Sequence, residues 1–301
     1  MKRALILGGT GFIGQHLAEA LQRNCHVSIY GRTKTNDRFP FIEGNFSEET
    51  NFERLLADGS VDVVYHLVST TVPKEDTEDI AQEVNDNVLP TLRLLETMRK
   101  TVTPRLIFVS SGGTVYGEAS GAAHTVDDCC KPICGYGMQK LVIEEYLAFY
   151  RRRYGLNCRV ARLSNPYGLP SKKPRGQGII PIFLEKLAKG EPIMLYGDTV
   201  RDYIHIEDAV AALVSISEYT GEAHCLNIGS GNPVRLTELV YMMEEITGKH
   251  FSRIEQKPIR ACDVMENVLD ISETVCELNW QPQISLAVGI ERTWKSLLAR
   301  L

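Results

Sequence analysis

Short apolar runs alternate with amphipathic stretches through the first half of this 301-residue chain. The stretches between the runs, such as positions 15–22 and 91–100, place apolar side chains at helical spacing. The apolar runs, each bounded by turn residues, occupy positions 4–7, 27–30, 61–67, 106–110 and 158–163. Short buried strands that alternate with helices predict parallel strands joined by right-handed crossovers. The pattern therefore predicts an α/β fold built on a doubly wound parallel sheet.

The composition changes after Leu163, where proline and glycine become frequent at positions 165–170 and 174–178. Shorter helical segments resume beyond them, which predicts a smaller α/β lobe that caps the ends of the strands. We expect the chain to pass between the two parts more than once. Residues 1–163 with about 201–229 are assigned to the larger domain, and residues 164–200 with about 230–301 to the substrate-binding lobe.

The formal charge of −5 is spread along the chain and gives no continuous basic surface. The densest basic clusters, at positions 151–153 and 172–173, are short and are interpreted as solvated faces. We therefore expect no nucleic-acid partner, because such a partner needs many phosphate contacts. Every apolar run, including the N-terminal one, falls well short of the ~20 residues that cross a membrane. The sequence predicts no membrane segment and no secretory leader.

The eight cysteines are scattered through predicted strands, helices and loops, and no two form a C-x-x-C pair. Cys129, Cys130 and Cys134 do cluster, but neither a His-rich segment nor a fourth ligand lies near them. We therefore expect no metal site. Scattered reduced thiols indicate a cytoplasmic protein.

A glycine-rich loop follows the first predicted strand directly and opens a helix; its sequence is Gly8-Gly9-Thr10-Gly11-Phe12-Ile13-Gly14. Glycines permit a tight turn, and the positive end of a helix attracts the pyrophosphate of a dinucleotide. The alternative is a tight strand-to-helix turn that binds nothing. In this context the loop predicts a Rossmann-type, NAD(P)-binding domain. The predicted cofactor contacts in it are Gly8, Gly11, Phe12, Ile13 and Gly14.

The second predicted strand ends in Tyr30-Gly31-Arg32, without the acidic residue that commonly holds the adenosine ribose of NAD. A guanidinium at this place can pair with a 2′-phosphate. Arg32 is thus a candidate cofactor contact that favours NADP, and an exposed loop arginine without that duty is an equal alternative.

Tyr136 and Lys140 lie four residues apart at the start of a predicted helix, and hence on one face of it. A free tyrosine titrates near ~10, and a nearby ammonium stabilises its phenolate, so the pair suits a catalytic base. Lys140 can also donate to the ribose of a nicotinamide nucleotide. Ser111 and Thr114, at a predicted strand exit, are candidate proton relays, and the sequence does not decide between them.

With these motifs the whole chain resembles the extended short-chain dehydrogenase/reductase family, in particular the UDP-hexose 4-epimerases of bacterial surface-polysaccharide pathways. Leu67 lies in a segment similar to the family's H-L-A-A strand exit near the cofactor. Asn87 begins a segment similar to its N-V-x-G-T helix start, with Pro90 in place of the glycine. The resemblance implies that Leu67 and Asn87 contact bound NAD.

The second half of the chain resembles the family in its substrate-binding motifs. Asn165 stands in an R-x-x-N-x-Y-G segment, Gln177 in the stretch that grips the nucleotide, and Tyr196 near the base. Arg201, in R-D-Y-I-H, and Arg260 would clamp the two phosphates, which suits guanidinium chemistry. The resemblance implies that these residues bind a nucleotide-linked sugar, with uridine as the expected base.

The resemblance implies a nucleotide-sugar 4-epimerase that works through a transient 4-keto intermediate with bound NAD. A 4,6-dehydratase is disfavoured because no carboxylate follows Thr114. An NADPH-dependent 4-ketoreductase of a nucleotide-linked deoxysugar is the alternative that Arg32 favours, and a non-catalytic redox-sensing regulator is a third. The usual hydroxyl position of the epimerases falls on Gly112, so Ser111 or Thr114 would take its role.

Asn267 lies seven positions beyond Arg260, where a tyrosine in the epimerases excludes an N-acetyl group and a smaller residue admits it. We therefore expect UDP-N-acetylhexosamines to be accepted. Family members often pair through two helices of the nucleotide-binding domain. The resemblance thus implies a homodimer formed through the amphipathic stretches 91–98 and 141–152.

Overall fold

The computed structural model describes residues 1–34, 37–47, 49–56, 61–71, 80–101, 104–119, 121–169 and 178–300. Within these ranges the strands are β1 (Lys2–Leu7), β2 (Cys25–Gly31), β3 (Phe41–Glu43), β4 (Val63–His66), β5 (Arg105–Ser111), β6 (Cys158–Leu163), β7 (Asn165–Tyr167), β8 (Ile193–Tyr196), β9 (Val200–His205), β10 (Cys225–Ile228), β11 (Pro233–Arg235), β12 (Ile254–Lys257) and β13 (Glu266–Asn267). The helices are α1 (Phe12–Leu21), α2 (Phe52–Leu55), α3 (Ile80–Glu83), α4 (Leu89–Lys100), α5 (Gly112–Val115), α6 (Gly135–Tyr154), α7 (Ile179–Lys189), α8 (Ile206–Glu218), α9 (Leu236–Thr247), α10 (Ser272–Leu278) and α11 (Leu286–Leu298), and a π-helical turn, Val84–Val88, joins α3 to α4.

The main sheet is parallel, and its described strands lie in the order β10-β6-β5-β4-β1-β2-β3. All six residues of β6 and the last four of β1 are buried, so both faces of these strands are covered, and β6 buries Arg159 and Arg162 among its apolar residues. Such runs are typical of a parallel sheet covered by helices on both sides. The five strands predicted from apolar runs coincide with β1, β2, β4, β5 and β6, and the predicted doubly wound fold is confirmed.

Helices cover the main sheet on both faces. On one face α1 and α8 pack together and bury Leu17 and Leu213 in one apolar core. On the other face α4 and α6 bury Leu95 and Leu147 in a second core. The long helix α6 ends at Gly155, whose φ of 68° is the left-handed conformation that glycine adopts at helix ends. The main sheet thus lies between two layers of helices, and α6 packs against one face of it.

The smaller lobe contains its own sheets and its own core. β9 pairs with β11 on one side and with β13 and β7 on the other, while β8 and β12 form a separate parallel pair. Helices α7, α9 and α11 contribute Leu184, Leu239 and Trp294 to the core beneath these strands. The lobe therefore has α/β character, as the sequence predicts.

Residues 201–205, which are predicted to begin the second segment of the larger domain, make contacts in both parts of the chain, and Ile204 packs in the core of the main sheet. They lie in β9, which pairs only with strands of the smaller lobe among the described residues. The chain returns to the main sheet with α8 and β10, and β10 adds to the edge at β6. The wider division of the chain into two domains stays a prediction.

Candidate active site

The glycine loop lies between β1 and α1, at the carboxyl ends of the main-sheet strands. β1 has β2 on one side and β4 on the other, so the strand order reverses here, which is where such sheets bind ligands. A Cβ on Gly14 would lie 2.5 Å from Cα of Gly9, and one on Gly9 would lie 2.8 Å from Cγ2 of Ile29. Only glycine fits at these two positions, and the loop is therefore compact.

The N-terminus of α1 is open to a ligand. Gly11 is its N-cap residue and provides no side-chain cap, and the first-turn amide groups, which include those of Phe12 and Ile13, lack partners within the helix. Gly8 has a φ of +82°. A Cβ built on Gly8 would lie 3.3 Å from the carbonyl carbon of Leu67, so the loop packs closely against the residues that follow β4. These residues fit the pyrophosphate of a dinucleotide, because backbone donors and a positive helix end face the crevice.

Arg32 is exposed directly after β2. This position is at the carboxyl end of the strand, where the adenosine ribose of a dinucleotide lies in this fold. The exposed guanidinium is compatible with a 2′-phosphate and equally with solvent.

Asn87 fastens the exit of β4 to the π-helical turn. Its Oδ1 accepts a hydrogen bond from the backbone amide of Thr70 at 2.9 Å. Its Nδ2 donates to Oγ1 of Thr70 at 2.8 Å and to the Glu83 carbonyl at 3.0 Å. Asn87 is buried, and its hydrogen bonds hold the segment after β4, which begins at Leu67, against the π-helical turn.

Tyr136 and Lys140 lie on the first turns of α6 and line one small cavity together with Val68 and Asn87. Because Val68 also lies against Gly8, this cavity joins the helix to the glycine loop. Nζ of Lys140 is 5.7 Å from the centroid of the Tyr136 ring. The predicted pair and the predicted cofactor loop therefore meet.

Burial changes the acidity of both groups. It raises the pKa of Tyr136 to about 12, opposed by a hydrogen bond between the Tyr136 and Ser111 hydroxyls. It lowers the pKa of Lys140 to about 8, opposed by the negative charge of Glu144. Lys140 also donates to the Val109 carbonyl at 2.9 Å, which fixes its position. Perturbed titratable groups in a crevice are typical of active sites.

Ser111 and Thr114 have different surroundings. Ser111, the last residue of β5, lies near Tyr136, and its hydroxyl acts to lower the Tyr136 pKa. Oγ1 of Thr114 is buried and has no hydrogen-bond partner in the described part of the chain. The geometry thus favours Ser111 as the hydroxyl beside the base.

Gly112 stands where the epimerases that this chain resembles carry a hydroxyl side chain. The structure leaves no room for a side chain at this position. A Cβ here would lie 2.6 Å from Cδ1 of Leu269. At Gly113 an ideal Cβ would lie 3.9 Å from both Oγ of Ser111 and Oδ1 of Asn165. The open space in front of Gly113 therefore separates the two polar groups that a bound sugar could contact.

Asn165 and Asn267 lie on strands of the smaller lobe that face α5, the turn Gly112–Val115, which we call the catalytic turn. Nδ2 of Asn165 donates to the Asp202 carbonyl at 2.9 Å. Nδ2 of Asn267 donates to the Gly112 carbonyl at 3.0 Å, while its Oδ1 is buried without a partner among the described residues. Asn267 is fully buried, so it closes the floor of the site rather than protruding into it.

The two predicted phosphate-binding arginines lie near each other, Arg201 on the central strand β9 and Arg260 on the segment between β12 and β13. Arg201 donates to the backbone carbonyl of Val264 at 2.7 Å, and burial lowers its pKa, with the charge of Arg260 acting in the same direction. Arg260 donates to Asp263 at 2.7 Å and lies 5.5 Å from the centroid of the exposed Tyr196 ring. Gln177 lies outside the described residues.

A buried ion pair behind the catalytic turn was not predicted from the sequence. Glu144 on α6 accepts hydrogen bonds from Nε and Nη2 of Arg162 on β6 at 3.0 and 2.7 Å. Arg162 is the first residue of the R-x-x-N-x-Y-G segment, and Glu144 stands four residues after Lys140. That spacing was the available signal, since it places the carboxylate on the catalytic face of the helix.

Within the described ranges, no three His, Cys, Asp or Glu side chains are grouped so that they could hold a metal ion. None of the helices that the structure describes is long and apolar enough to cross a bilayer.

The fold and this crevice are those of a nucleotide-dependent family of enzymes. The chain belongs to the NAD dependent epimerase/dehydratase family, whose model matches residues 4–229.

Particular relatives lie within this family. The chain is 31% identical to the dTDP-4-dehydro-6-deoxyglucose reductase of Escherichia coli, over 97% of this chain and 96% of that protein. It is 32% identical to the putative UDP-glucose 4-epimerase of Methanocaldococcus jannaschii, over 96% of each. The solved structure of the Thermotoga maritima UDP-glucose 4-epimerase with UDP-glucose matches with a TM-score of 0.92 and 29% identity, over 99% of each chain.

Proposed function

We propose that the protein is a nucleotide-sugar 4-epimerase that acts on UDP-hexoses or UDP-N-acetylhexosamines with NAD as cofactor. The observation that carries the proposal is the meeting of Ser111, Tyr136 and Lys140 in the crevice that the glycine loop opens. The epimerases from M. jannaschii and T. maritima named above support the same activity.

In this reaction Tyr136 takes the proton from the 4-hydroxyl of the sugar, and Lys140 stabilises the phenolate that Tyr136 must form. Because burial raises the pKa of Tyr136 to about 12, the ammonium beside it is essential at neutral pH. Ser111 binds the sugar oxygen and relays its proton. NAD bound in this crevice would supply a nicotinamide that accepts the hydride from C4 of the sugar and returns it to the other face of that carbon after the 4-keto sugar has turned. Tyr136 returns the proton to the oxygen at the same carbon, so the new hydroxyl forms with no net oxidation.

The smaller lobe supplies the substrate contacts in this proposal. Arg201 and Arg260 bind the diphosphate, Tyr196 lies against the base, Gln177 grips the nucleotide and Asn165 contacts phosphate or sugar. The proximity of two guanidinium groups supports a dianionic partner. Their positive charges repel each other, and a diphosphate bound to both would relieve that repulsion.

Asn267 supports acceptance of N-acetylated sugars. Its side chain is fully buried and donates to the Gly112 carbonyl, and the larger tyrosine ring at this position would extend into the crevice. Asn267→Tyr should abolish turnover of UDP-N-acetylgalactosamine and spare that of UDP-galactose, whereas Asn267→Ser, a matched small control, should spare both. Equal loss of both activities in the tyrosine variant would contradict this assignment.

An NADPH-dependent 4-ketoreductase is the second candidate, favoured by the exposed Arg32 after β2 and by the reductase from E. coli named above. Such an enzyme would use Tyr136 and Lys140 once and release the oxidised cofactor.

One experiment separates the two. The purified protein, without added cofactor, is incubated separately with UDP-galactose and UDP-N-acetylgalactosamine, and the products are resolved by chromatography. Conversion to the gluco forms supports the epimerase. If both sugars stay unchanged even with NAD added, while a dTDP-4-keto-6-deoxysugar consumes NADPH, the enzyme is the reductase.

We also propose a homodimer formed through α4 and α6. Met138, Tyr146 and Phe149 are exposed on α6, and an exposed apolar helix face is typical of an interface. Light scattering should give twice the chain mass, and Phe149→Glu should give a monomer.

The eight free cysteines support a reducing compartment, and we place the protein in the cytoplasm, where its products would feed surface-polysaccharide synthesis.

A further inference from the structure

The end of β5 holds one face of α6 at three successive points, a set of contacts that we call the strand–helix seam. The helix residues are four apart, so they project from one face. The contacts of the seam are Val109 with Lys140, Ser110 with Glu144 and Ser111 with Tyr136. Two of the three join the proposed chemistry, and the third contact, made by a carboxylate, has no role assigned so far.

Glu144 is held more tightly than a surface carboxylate. It is 6% exposed, accepts from the Ser110 hydroxyl, and accepts two hydrogen bonds from Arg162, itself 8% exposed. Arg162 in turn donates to the Tyr116 hydroxyl at 2.9 Å and to the Val126 carbonyl at 3.2 Å. A buried carboxylate with this many partners has one position.

Among the charged groups around Lys140, Glu144 is the one that raises the Lys140 pKa and so opposes the effect of burial on it. On α6 its neighbours are Tyr136 and Glu144, and on β4 the neighbour is His66. Burial, together with the charge of Lys140, lowers the pKa of His66 to about 3, so His66 is neutral. Arg162 on β6 pairs with Glu144 at 2.7 Å.

The thiols near Glu144 add no charge. Burial is the main cause that raises the pKa of Cys130 and of Cys225. Both therefore stay protonated at neutral pH, and neither can take the place of Glu144 as a negative partner for Lys140.

We propose that Glu144 is a positioning residue of the active site, which fixes α6 against the end of β5 and keeps Lys140 in its charged form beside Tyr136. The kinetic part of this inference rests on the proposed epimerase function. Glu144 itself touches neither substrate nor cofactor in it, and acts through Lys140 and Ser110.

The charge of Lys140 can be measured without catalysis. The full chain is labelled with [ε-¹³C]lysine and titrated by NMR, and the Lys140 signal is assigned by its loss in Lys140→Arg. We expect a midpoint near pH 8 in the wild type. In Glu144→Gln we expect it to fall by about 1 pH unit, because the opposing charge is lost and Arg162 is left unpaired. An unmoved midpoint overturns the proposal.

Kinetics test the positioning role. Glu144→Asp keeps the charge but shortens the side chain by one methylene, so the midpoint should stay and kcat should fall on the order of 10- to 100-fold with KM nearly unchanged. Glu144→Gln should also move the alkaline limit of kcat to lower pH. Glu145→Gln, an exposed neighbour on α6, is the matched control and should leave kcat and the midpoint unchanged.

The outcomes separate this inference from the proposed function. If the wild type epimerises no UDP-sugar but the NMR midpoint moves in Glu144→Gln, the function fails and the role of Glu144 in keeping Lys140 charged stands. If the wild type is active and the midpoint does not move, the inference fails alone. Should Glu144→Gln not fold, a wild-type kcat in Glu144→Asp overturns the proposal, and a reduced kcat with an unmoved midpoint supports it.

Discussion

Gly112 and Leu269 are expected to be coupled, so that a serine fits at position 112 only when Leu269 is shortened. A Cβ on Gly112 would lie 2.6 and 3.0 Å from the two Cδ atoms of Leu269, and 3.2 Å from the Arg162 carbonyl oxygen. Leu269 is fully buried and packs with Val115 and Tyr116 in a small apolar cluster. Gly112→Ser therefore forces an overlap that Leu269→Ala removes.

The expected magnitudes follow from this overlap. Overpacking a filled core costs about 1–3 kcal/mol of unfolding free energy. Truncating a buried leucine to alanine costs about 2–5 kcal/mol. Because the new serine fills part of the space that the leucine leaves, the double variant should be more stable than the sum of the two losses by about 1–2 kcal/mol.

Equilibrium urea unfolding of the wild type, both single variants and the double variant measures this coupling. A control cycle pairs Gly112→Ser with Leu184→Ala, which removes a fully buried leucine from the core of the smaller lobe. That cycle should be additive. Additivity within about 0.5 kcal/mol in the Gly112–Leu269 cycle as well would refute the packing argument.

Three further predictions concern the candidate site. Ser111→Ala should lower kcat about 100-fold or more, because Tyr136 loses its hydroxyl partner, whereas Thr114→Val should be nearly neutral; equal losses in the two assays would rule out this assignment. Between pH 8 and 9.5 the wild type should gain about 2 kcal/mol of stability over Lys140→Met, because the folded pKa of about 8 is depressed, and above it only the unfolded chain holds the proton. Urea unfolding at both pH values checks this, and a constant difference would contradict the depressed pKa. Arg260→Ala should raise KM for UDP-galactose about 10- to 100-fold with a similar kcat, and an unchanged KM would exclude the arginine from the phosphate site.

The parts of the fold that depend on local pattern could be predicted from the sequence. The strands at 4–7 and 158–163 are buried on both faces because helices cover both sides of the sheet. This leaves a short, mostly apolar run in the sequence, continuous at 4–7 and interrupted by Arg159 and Arg162 at 158–163. Tyr136 and Lys140 share a helix face because of their spacing, so their juxtaposition required no tertiary information.

The choice between Ser111 and Thr114 could not be made from the sequence, because it depends on contacts between distant segments. Leu269 fills the space at Gly112, and α6 places Tyr136 over the last residue of β5. Neither contact leaves a periodic signal. The pairing of residues 201–205 with strands of the smaller lobe could not be predicted for the same reason, since it joins segments that are distant in the sequence.

The position of β10 at the edge of the main sheet has a consequence for the nascent chain. β10 pairs with β6 and carries Asn227, which accepts a hydrogen bond from the Tyr116 hydroxyl, the same hydroxyl that Arg162 contacts. Until the ribosome has released residues 225–228, the backbone edge of β6 is unpaired and this buried network lacks its last member. Order at the catalytic end of the larger domain is therefore completed only after most of the chain has been synthesised, and the incomplete intermediate exposes an edge that invites association.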